Sequence, residues 1–268
     1  MESNTDFDAT KRTWAVVRET FTRLVGLQAP HLTNQDLNEL RIICTGLDLS
    51  TGEPADGSEV FIRPSSTARI RSILERTKPW LHCPLLDEKD SAPEVAAMQI
   101  HGCLISALVW GVDGSTPLMM QTDWQRRYMR YDEGERLQRF KVYGTADWAE
   151  WRVELLIEKT DGSTPHISCL LADDALLRDD QLSHAEIWCI IAITVRRLRE
   201  YYKHRIIPVT VISAADRQLR IVQGYLDGRD GYLRARKSPI LDFSQYDREK
   251  MELVLSWCVG DAVGHTGP

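Results

Sequence analysis

The residues best suited to chemistry are the carboxylates of WAEWRVELLIEK, residues 148–159. If this segment is a strand, side chains two positions apart point to the same side. Glu150, Glu154 and Glu158 would then form an acidic row on one face. The other face would carry Trp151, Val153, Leu155, Ile157 and Lys159. Neighbouring carboxylates raise one another's pKa values, so such a row can serve acid–base catalysis or bind a divalent cation. The alternative is a half-exposed sheet whose carboxylates face water.

Asp147, His166 and Asp173 lie near enough in the predicted hairpin to join this acidic row, and the region around His184 is a second candidate. His166 follows the turn signal Asp161-Gly162, and His184 stands where a helix is predicted to begin. The positive end of a helix favours the neutral imidazole, which suits a base or a ligand. Ser183 and Glu186 also form a capping box, which explains this region without any catalytic role. The catalytic candidates are therefore Glu150, Glu154, Glu158, His166 and His184.

Tryptophans are concentrated around the centre of the chain. Aromatic rings supply apolar area together with a polar group, so they can wall a ligand pocket. We expect such a pocket between the central sheet and the apolar helix 94–111. The alternative is that these side chains belong to the core. The candidate substrate-binding residues are Trp110, Trp148, Trp151 and Trp188.

Arginines are concentrated in two segments, residues 126–139 and 196–205. Guanidinium groups can hold phosphate groups. On helices such charges more commonly form a solvated face, and those at 196–205 also complement a helix C-terminus.

Several common catalytic motifs are missing from the sequence. It contains no GxSxG motif, no P-loop, no HExxH motif and no GxGxxG after a strand. We expect no cofactor. None of the cysteines forms a CxxC pair, so we expect reduced thiols and no structural zinc. The cysteines are Cys44, Cys83, Cys103, Cys169, Cys189 and Cys258.

Hydrophobic spacing, capping residues and turn signals predict an α+β protein with a mixed or antiparallel central sheet, flanking helices and an N-terminal helical layer. Residues 148–159 also fit a helix, but a strand is favoured. The predicted helices are 9–27, 33–46, 65–78, 94–111, 123–139, 184–204 and 245–258. The predicted strands include 59–63, 148–159, 206–213, 218–227 and 232–243.

The chain is expected to form one domain over 9–260, with a mostly helical part at 9–139 and a sheet-containing core at 140–260. Residues 1–8 are expected to be disordered, and 261–268 to form a loose tail. No apolar run reaches the ~18 residues of a membrane span, and no apolar signal core opens the sequence. These features predict a cytoplasmic protein without membrane contact. A charge of −6 and pI ≈ 5.7 argue against nucleic acid as a partner.

The runs YGTADWAEWRVEL, LRDDQLSHAEIW, IPVTVIS and RIVQGYLDG resemble an uncharacterised protein family of filamentous ascomycetes. The resemblance covers about the C-terminal half of the chain and implies no particular activity. Fungal families of this kind include enzymes of natural-product biosynthesis, so the resemblance slightly favours small-molecule chemistry.

The order of strands bearing carboxylates, then a helix, then strands is similar to the PD-(D/E)XK nuclease core. That family places an acid on one strand, then an acid and a lysine two residues later, to bind Mg²⁺ and orient water. The resemblance implies Asp147 and Glu158 as metal ligands, with Lys159 as the lysine. Ile157 stands two positions before Lys159, so the chain departs from the family's spacing.

The function that this sequence favours is binding or acid–base transformation of a small-molecule ligand. A nuclease-like protein, active or degenerate, and a non-catalytic protein-interaction module are the alternatives. The sequence does not define an oligomeric state.

Overall fold

A computed structural model describes residues 4–77, 93–110, 116–128, 138–143, 148–162, 164–201, 203–227 and 229–267. The helices in this part of the chain are α1 (Asn4–Gly26), α2 (Asn34–Glu39), α3 (Thr67–Thr77), α4 (Pro93–Ile105), α5 (His184–Glu200) and α6 (Arg248–Cys258). A π-helical turn, Ser106–Trp110, continues α4, and a 3-10 turn spans Leu118–Gln121.

The strands in the same ranges are β1 (His31–Leu32), β2 (Ile42–Gly46), β3 (Ile62–Arg63), β4 (Trp124–Arg127), β5 (Gln138–Tyr143), β6 (Trp148–Lys159), β7 (Ile167–Asp173), β8 (Leu182–Ser183), β9 (Val209–Ala215), β10 (Gln218–Asp227), β11 (Tyr232–Lys237), β12 (Leu241–Asp242) and β13 (Asp261–Ala262).

Nine of these strands form one mixed sheet in the order β2-β11-β10-β9-β7-β6-β4, with β5 beside β6 and β12 beside β10. The pairs β2/β11 and β7/β9 are parallel, and the other pairs are antiparallel. Helix α5 connects β7 to its parallel neighbour β9, because parallel strands need a long crossover. The α+β class and the mixed sheet are therefore confirmed.

Helices cover both faces of this sheet, each with its own apolar core. On one face Leu155, Leu170 and Ile212 belong to a cluster with residues of α3, α4 and α6. On the other face Val153, Leu171 and Val211 belong to a cluster with residues of α1 and α5. Strands covered on both sides read as nearly continuous apolar runs, as β7 and β9 do.

Two helix predictions are wrong because strand pairing determined the local structure. The helix predicted over 33–46 ends at Glu39, Arg41 takes a positive φ of 56°, and Ile42–Gly46 pairs with β11. In the helix predicted over 123–139, Trp124–Arg127 pairs with the end of β6. Gln138, which begins β5, pairs with Arg152. Such pairings join residues far apart in sequence, and local spacing does not reveal them.

The remaining elements agree better with the sequence. The predicted strand 148–159 is β6, and α1, α3 and α5 lie within about two turns of their predicted ends. Both hydrogen bonds of the predicted Ser183–Glu186 capping box are present. Helix α1 begins at Asn4, inside the segment 1–8 that was predicted to be disordered.

Helix 94–111 is α4 followed by the π-helical turn, and the last helix starts at Arg248 behind an Asp247 cap. The predicted strand 232–243 is interrupted at Pro239 and forms β11 and β12.

The cysteines differ in part from the expectation of reduced thiols. Cys44, Cys169, Cys189 and Cys258 are free, whereas Cys103 is disulfide-bonded. Sequence spacing does not reveal a pairing that is made through the fold. In the described ranges, no helix combines the length and the apolar character of a membrane span.

Candidate functional site

A β-bulge in the middle of β6 divides the predicted acidic row between the two faces of the sheet. The register with β7 shifts between Val153 and Leu155. Two consecutive residues therefore lie opposite one, and the strict alternation of side chains is lost. Glu154 faces α4, whereas Glu158 faces α5. The expectation that Glu150, Glu154 and Glu158 share one face is thus wrong beyond the bulge.

Glu154 contacts a histidine that sequence reasoning had not singled out. Its Oε2 lies 2.8 Å from Nδ1 of His101, a fully buried residue of α4. Arg152 Nη2 is 3.9 Å from the other oxygen of Glu154. Only 11% of the Glu154 side chain is exposed. A carboxylate that holds an imidazole in this way can orient it for proton transfer, but solvent reaches the pair only at its margin. Glu150 lies near the start of β6, before the bulge. Its backbone carbonyl accepts a hydrogen bond from the backbone N–H of Asp174 at 2.9 Å.

Glu158 lies in an open cleft of about 430 Å³ at the C-terminal end of α5. We call this the α5 cleft. Its lining combines cations, carboxylates and one tyrosine ring, and consists of Arg127, Glu158, Gly162, Arg197, Glu200, Tyr201, Lys203 and His204. The volume falls within the range of small-molecule pockets.

Two arginines from different elements, Arg127 of β4 and Arg197 of α5, bind Glu158. Arg197 Nη1 donates to Glu158 Oε2 at 2.8 Å, and Arg127 Nη1 donates to the same oxygen at 3.1 Å. Arg197 is only 1% exposed and also donates to the backbone carbonyls of Pro165 and His166. Its guanidinium carbon lies 4.2 Å from the centre of the Tyr201 ring. Arg197 is therefore fixed in position before any ligand arrives.

A second carboxylate, Glu200, receives hydrogen bonds from three arginines. Arg127 binds both of its oxygens, at 2.8 and 2.9 Å. Arg196 Nε donates to Oε1 at 3.0 Å, and Arg197 Nη1 lies 3.3 Å from Oε2. The Glu200 side chain remains 27% exposed. Three guanidinium groups thus surround one carboxylate at the open side of the α5 cleft.

The charges in the α5 cleft change the ionisation of its members. Burial would lower the pKa of Arg127, but hydrogen bonds and charges from Glu200 and Glu158 raise it. Burial would raise the pKa of Glu200, but Arg127 in particular lowers it. Burial and the charge of Arg197 lower the pKa of His204, so this histidine is neutral at pH 7. Among the residues that the structure describes here, three arginines and Lys203 stand beside two glutamates, in a protein of charge −6.

Local sequence explains how these side chains reach the α5 cleft. The turn between β6 and β7 needs Gly162 at a positive φ of 62°, and a Cβ there would lie 3.8 Å from the Tyr201 hydroxyl. Basic residues are favoured in the last turn of a helix by its dipole, which accounts for Arg197 and Arg199. Arg127 arrives from β4 through its pairing opposite Leu156.

The histidine candidates His166 and His184 are both buried. His166 Nε2 donates to Val263 O at 2.9 Å, and the His184 ring packs against the rings of Trp151 and Trp188, with ring centres 5.8 and 6.0 Å away. Burial lowers the pKa of each histidine to about 4. His184 is therefore neutral because of burial more than because of its place at a helix start.

The tryptophan candidates do not share one wall. Trp151 and Trp188 are buried side by side on the α5 face, with ring centres 6.0 Å apart. Trp110 is 66% exposed on the π-helical turn after α4. The side chain of Trp148 lies outside the described part of the structure.

Two of the residues that the nuclease resemblance implies, Glu158 and Lys159, point to different neighbours. Asp147 lies outside the described residues. Glu158 faces α5, whereas the ammonium group of Lys159 binds the Asp123 carboxylate and lies 5.3 Å from the Trp124 ring centre. Among the residues that the structure describes, no three His, Cys, Asp or Glu side chains are placed to hold a metal ion.

Sequence reasoning had marked Glu158 and the arginine segments but not Glu200, whose contact with Arg127 spans 73 positions.

Comparison of the chain with protein-family models, curated proteins and solved structures finds no match.

Proposed function

We propose that this protein binds a small molecule through an anionic group in the α5 cleft. The observation that carries the proposal is the convergence of Arg127, Arg196 and Arg197 on one partly exposed carboxylate in an open cavity. Planar guanidinium groups bind carboxylate and phosphate oxygens in pairs, so three of them form a strong anion site.

Preorganisation supports binding at this place. Arg197 is held from behind by two backbone carbonyls and by the Tyr201 ring, so little side-chain entropy would be lost when a ligand binds. Tyr201 and the aliphatic stems of the arginines also offer apolar surface beside the charges. The concentration of guanidinium groups at this place favours anions, although the whole chain carries a charge of −6.

Binding is favoured over acid–base chemistry because the predicted acids and bases are already occupied or buried. Glu158 accepts from two arginines, and Glu154 contacts His101. His166 and His184 are buried and neutral at pH 7. In the α5 cleft the carboxylates position cations, and the cations are the groups that would contact a ligand.

The proposal is tested by thermal unfolding with citrate and phosphate at constant ionic strength. A ligand that binds only the native state raises the melting temperature, by about 5 °C or more at ~100 times Kd. We expect this rise in the wild-type protein and its loss in Arg127→Gln. Arg69→Gln on α3 is the matched control, because Arg69 is exposed.

Equal rises in all three proteins would show that these anions act elsewhere. No rise in the wild-type protein at tens of millimolar anion would leave the α5 cleft without a ligand of this class.

A further inference from the structure

We infer that residues 261–266 form a strap that positions one wall of the α5 cleft, and that anion binding in the cleft and docking of this strap stabilise each other. The inference rests on the proposed function of the α5 cleft. It adds a positioning residue, Thr266, and a segment that regulates the affinity of the site.

The wall that the strap positions follows the last turn of α5. Tyr201, Lys203 and His204 line the α5 cleft from an irregular connection that leads to β9. Tyr201 has left the helical conformation, with φ −116° and ψ 50°. A connection of this kind is not held by the hydrogen bonds of a helix or a sheet. Its position therefore depends on the groups that its own donors bind.

Three groups of this connection bind Thr266. The backbone N–H groups of Arg205 and Ile206 donate to the Thr266 carbonyl oxygen at 2.9 and 3.3 Å. The ring nitrogen Nδ1 of His204 shares a hydrogen bond of 2.9 Å with the Thr266 hydroxyl. Thr266 is only 7% exposed, so water competes little for these contacts. One residue of the strap thus holds both the backbone and a side chain of the wall.

A second contact joins the strap to the buried arginine of the α5 cleft. Arg197 donates to the His166 carbonyl oxygen at 3.4 Å. His166 Nε2 in turn donates to the carbonyl oxygen of Val263, in the strap, at 2.9 Å. The end of α5 and the connection that follows it are therefore bound to the same strap.

The strap is docked on the segment that precedes α3. Asp261–Ala262 pairs with β3, and Val263 N donates to Phe61 O at 3.0 Å. Gly264 follows with a positive φ of 85°, and a Cβ there would lie 2.7 Å from the backbone oxygen of Val60. A side chain at position 264 would therefore displace the strap.

Ligand binding and docking of the strap favour the same arrangement of the wall. A ligand in the α5 cleft lies against Tyr201 and His204, and the strap fixes the same connection through Thr266. Each of the two reduces the conformational entropy that the other must remove, which gives positive coupling. Because coupling is reciprocal, the ligand must stabilise the docked strap by the factor by which the strap strengthens ligand binding.

The experiment is calorimetric titration of the whole chain with citrate at constant ionic strength. Gly264→Ala displaces the strap through the clash with Val60, and Thr266→Val removes the hydroxyl at nearly unchanged size. We expect citrate affinity to fall about tenfold in Gly264→Ala and about threefold in Thr266→Val. Gly57→Ala is the matched control and should bind as wild type does. Gly57 also has a positive φ, 67°, but nothing lies within 4 Å of an added Cβ.

Hydrogen exchange supplies a readout that a purely structural strap would leave unchanged. Citrate should slow exchange of the Arg205 and Ile206 amides, which donate to Thr266, by about tenfold in wild type. The amides of α2 are the reference, because α2 packs on β1 and β2. Arg127→Gln lacks an arginine of the site and should show no slowing.

The outcomes separate this inference from the function on which it rests. If citrate binds wild type and both strap variants equally, the anion site stands and the positioning role of the strap is refuted. Unchanged exchange at Arg205 and Ile206 on citrate binding refutes the coupling as well, and this measurement needs no variant that could unfold. If citrate does not bind wild type, the proposed function fails and the inference fails with it.

Discussion

At the scale of single residues, burial decides the ionisation of the buried acid Asp173 and of the histidines more than sequence neighbours do. Asp173 ends β7 and is fully buried, and burial raises its pKa to about 7 although Ser183 and the Ala175 backbone N–H bind it. His166 and His184 shift in the opposite direction, to about 4, for the same reason. In each case the low dielectric of the interior favours the uncharged form.

The raised pKa of Asp173 predicts that this residue destabilises the folded protein increasingly as pH rises. The unfolded aspartate titrates near 3.9, so the folded state holds its proton more tightly, and this stabilisation is lost as pH rises from about 4 to about 7. Asp173→Asn mimics the protonated form. We expect its stability relative to wild type to increase by about 2 kcal/mol between pH 5 and pH 8, measured by urea unfolding. Both proteins contain His166 and His184, so the contribution of these histidines to the pH dependence cancels in this difference.

Asp180→Asn, at an exposed aspartate, is the control for this comparison, and its difference from wild type should stay nearly flat. A flat difference for Asp173→Asn as well would mean that Asp173 is ionised in the folded protein at pH 5.

At the scale of elements, α5 is fixed at its two ends by charged contacts of different kinds. At its C-terminal end Arg127, Arg196 and Glu200 are partly open to water, whereas Arg197 is buried. At its N-terminal end Glu186 and Arg220 form a fully buried pair, with Nε–Oε1 at 2.7 Å and Nη2–Oε2 at 2.5 Å. Glu186 also completes the capping box, and Arg220 belongs to β10. One carboxylate thus joins the helix start to the centre of the sheet.

Arg220→Met should destabilise the protein by about 3–5 kcal/mol, because it leaves the Glu186 carboxylate buried without its cation. The double variant Glu186→Gln/Arg220→Met should recover part of this loss, since glutamine keeps an acceptor for the Ser183 N–H. Chemical denaturation of the two singles and the double gives the coupling free energy.

Arg23→Met removes an exposed ion pair with Glu19 and an exposed hydrogen bond to the Glu39 carbonyl, and should cost about 1 kcal/mol. Equal losses in Arg23→Met and Arg220→Met would contradict the assigned role of the buried pair.

The elements also show how far the sequence determines the fold and the site. Helix α5 and strand β6 were predicted because a capping box and a turn signal at Asp161-Gly162 act over a few residues. Strand β4 was predicted as a helix because its pairing opposite 156–159 lies more than twenty positions away. The bulge between Val153 and Leu155 has no local signature, so the sequence predicted one acidic row where the fold makes two separate sites. Glu158 and the arginines were predicted as candidates, but their meeting at Glu200 was not.

At the scale of the whole molecule, the two parts of the chain share one sheet. The N-terminal part contributes β2, which pairs with β11, and β4, which pairs with β6. It also contributes α4, which packs against β6, β7 and β9. Neither the 9–139 part nor the 140–260 part therefore has a complete sheet or a complete core of its own. The 9–139 and 140–260 parts differ in their secondary structure content, but they do not form two separate cores.

This interleaving predicts that the chain unfolds as one cooperative unit. Leu108 lies in the π-helical turn after α4, is fully buried, and belongs to the core that includes Ile157, Leu170 and Ile212 of the C-terminal part. Leu108→Ala should lower stability by about 2–5 kcal/mol. The loss should shift the urea transition equally when it is followed by far-ultraviolet circular dichroism and by tryptophan fluorescence, to which both faces contribute through Trp124 and Trp257 in this core and Trp151 and Trp188 in the opposite one.

Leu176→Ala, at an exposed leucine, is the control and should shift neither signal. Two transitions that no longer coincide would show that the two faces unfold separately. Coincident shifts would mean that the α5 cleft, built from β4, β6 and α5, depends on a sheet that both parts of the chain complete.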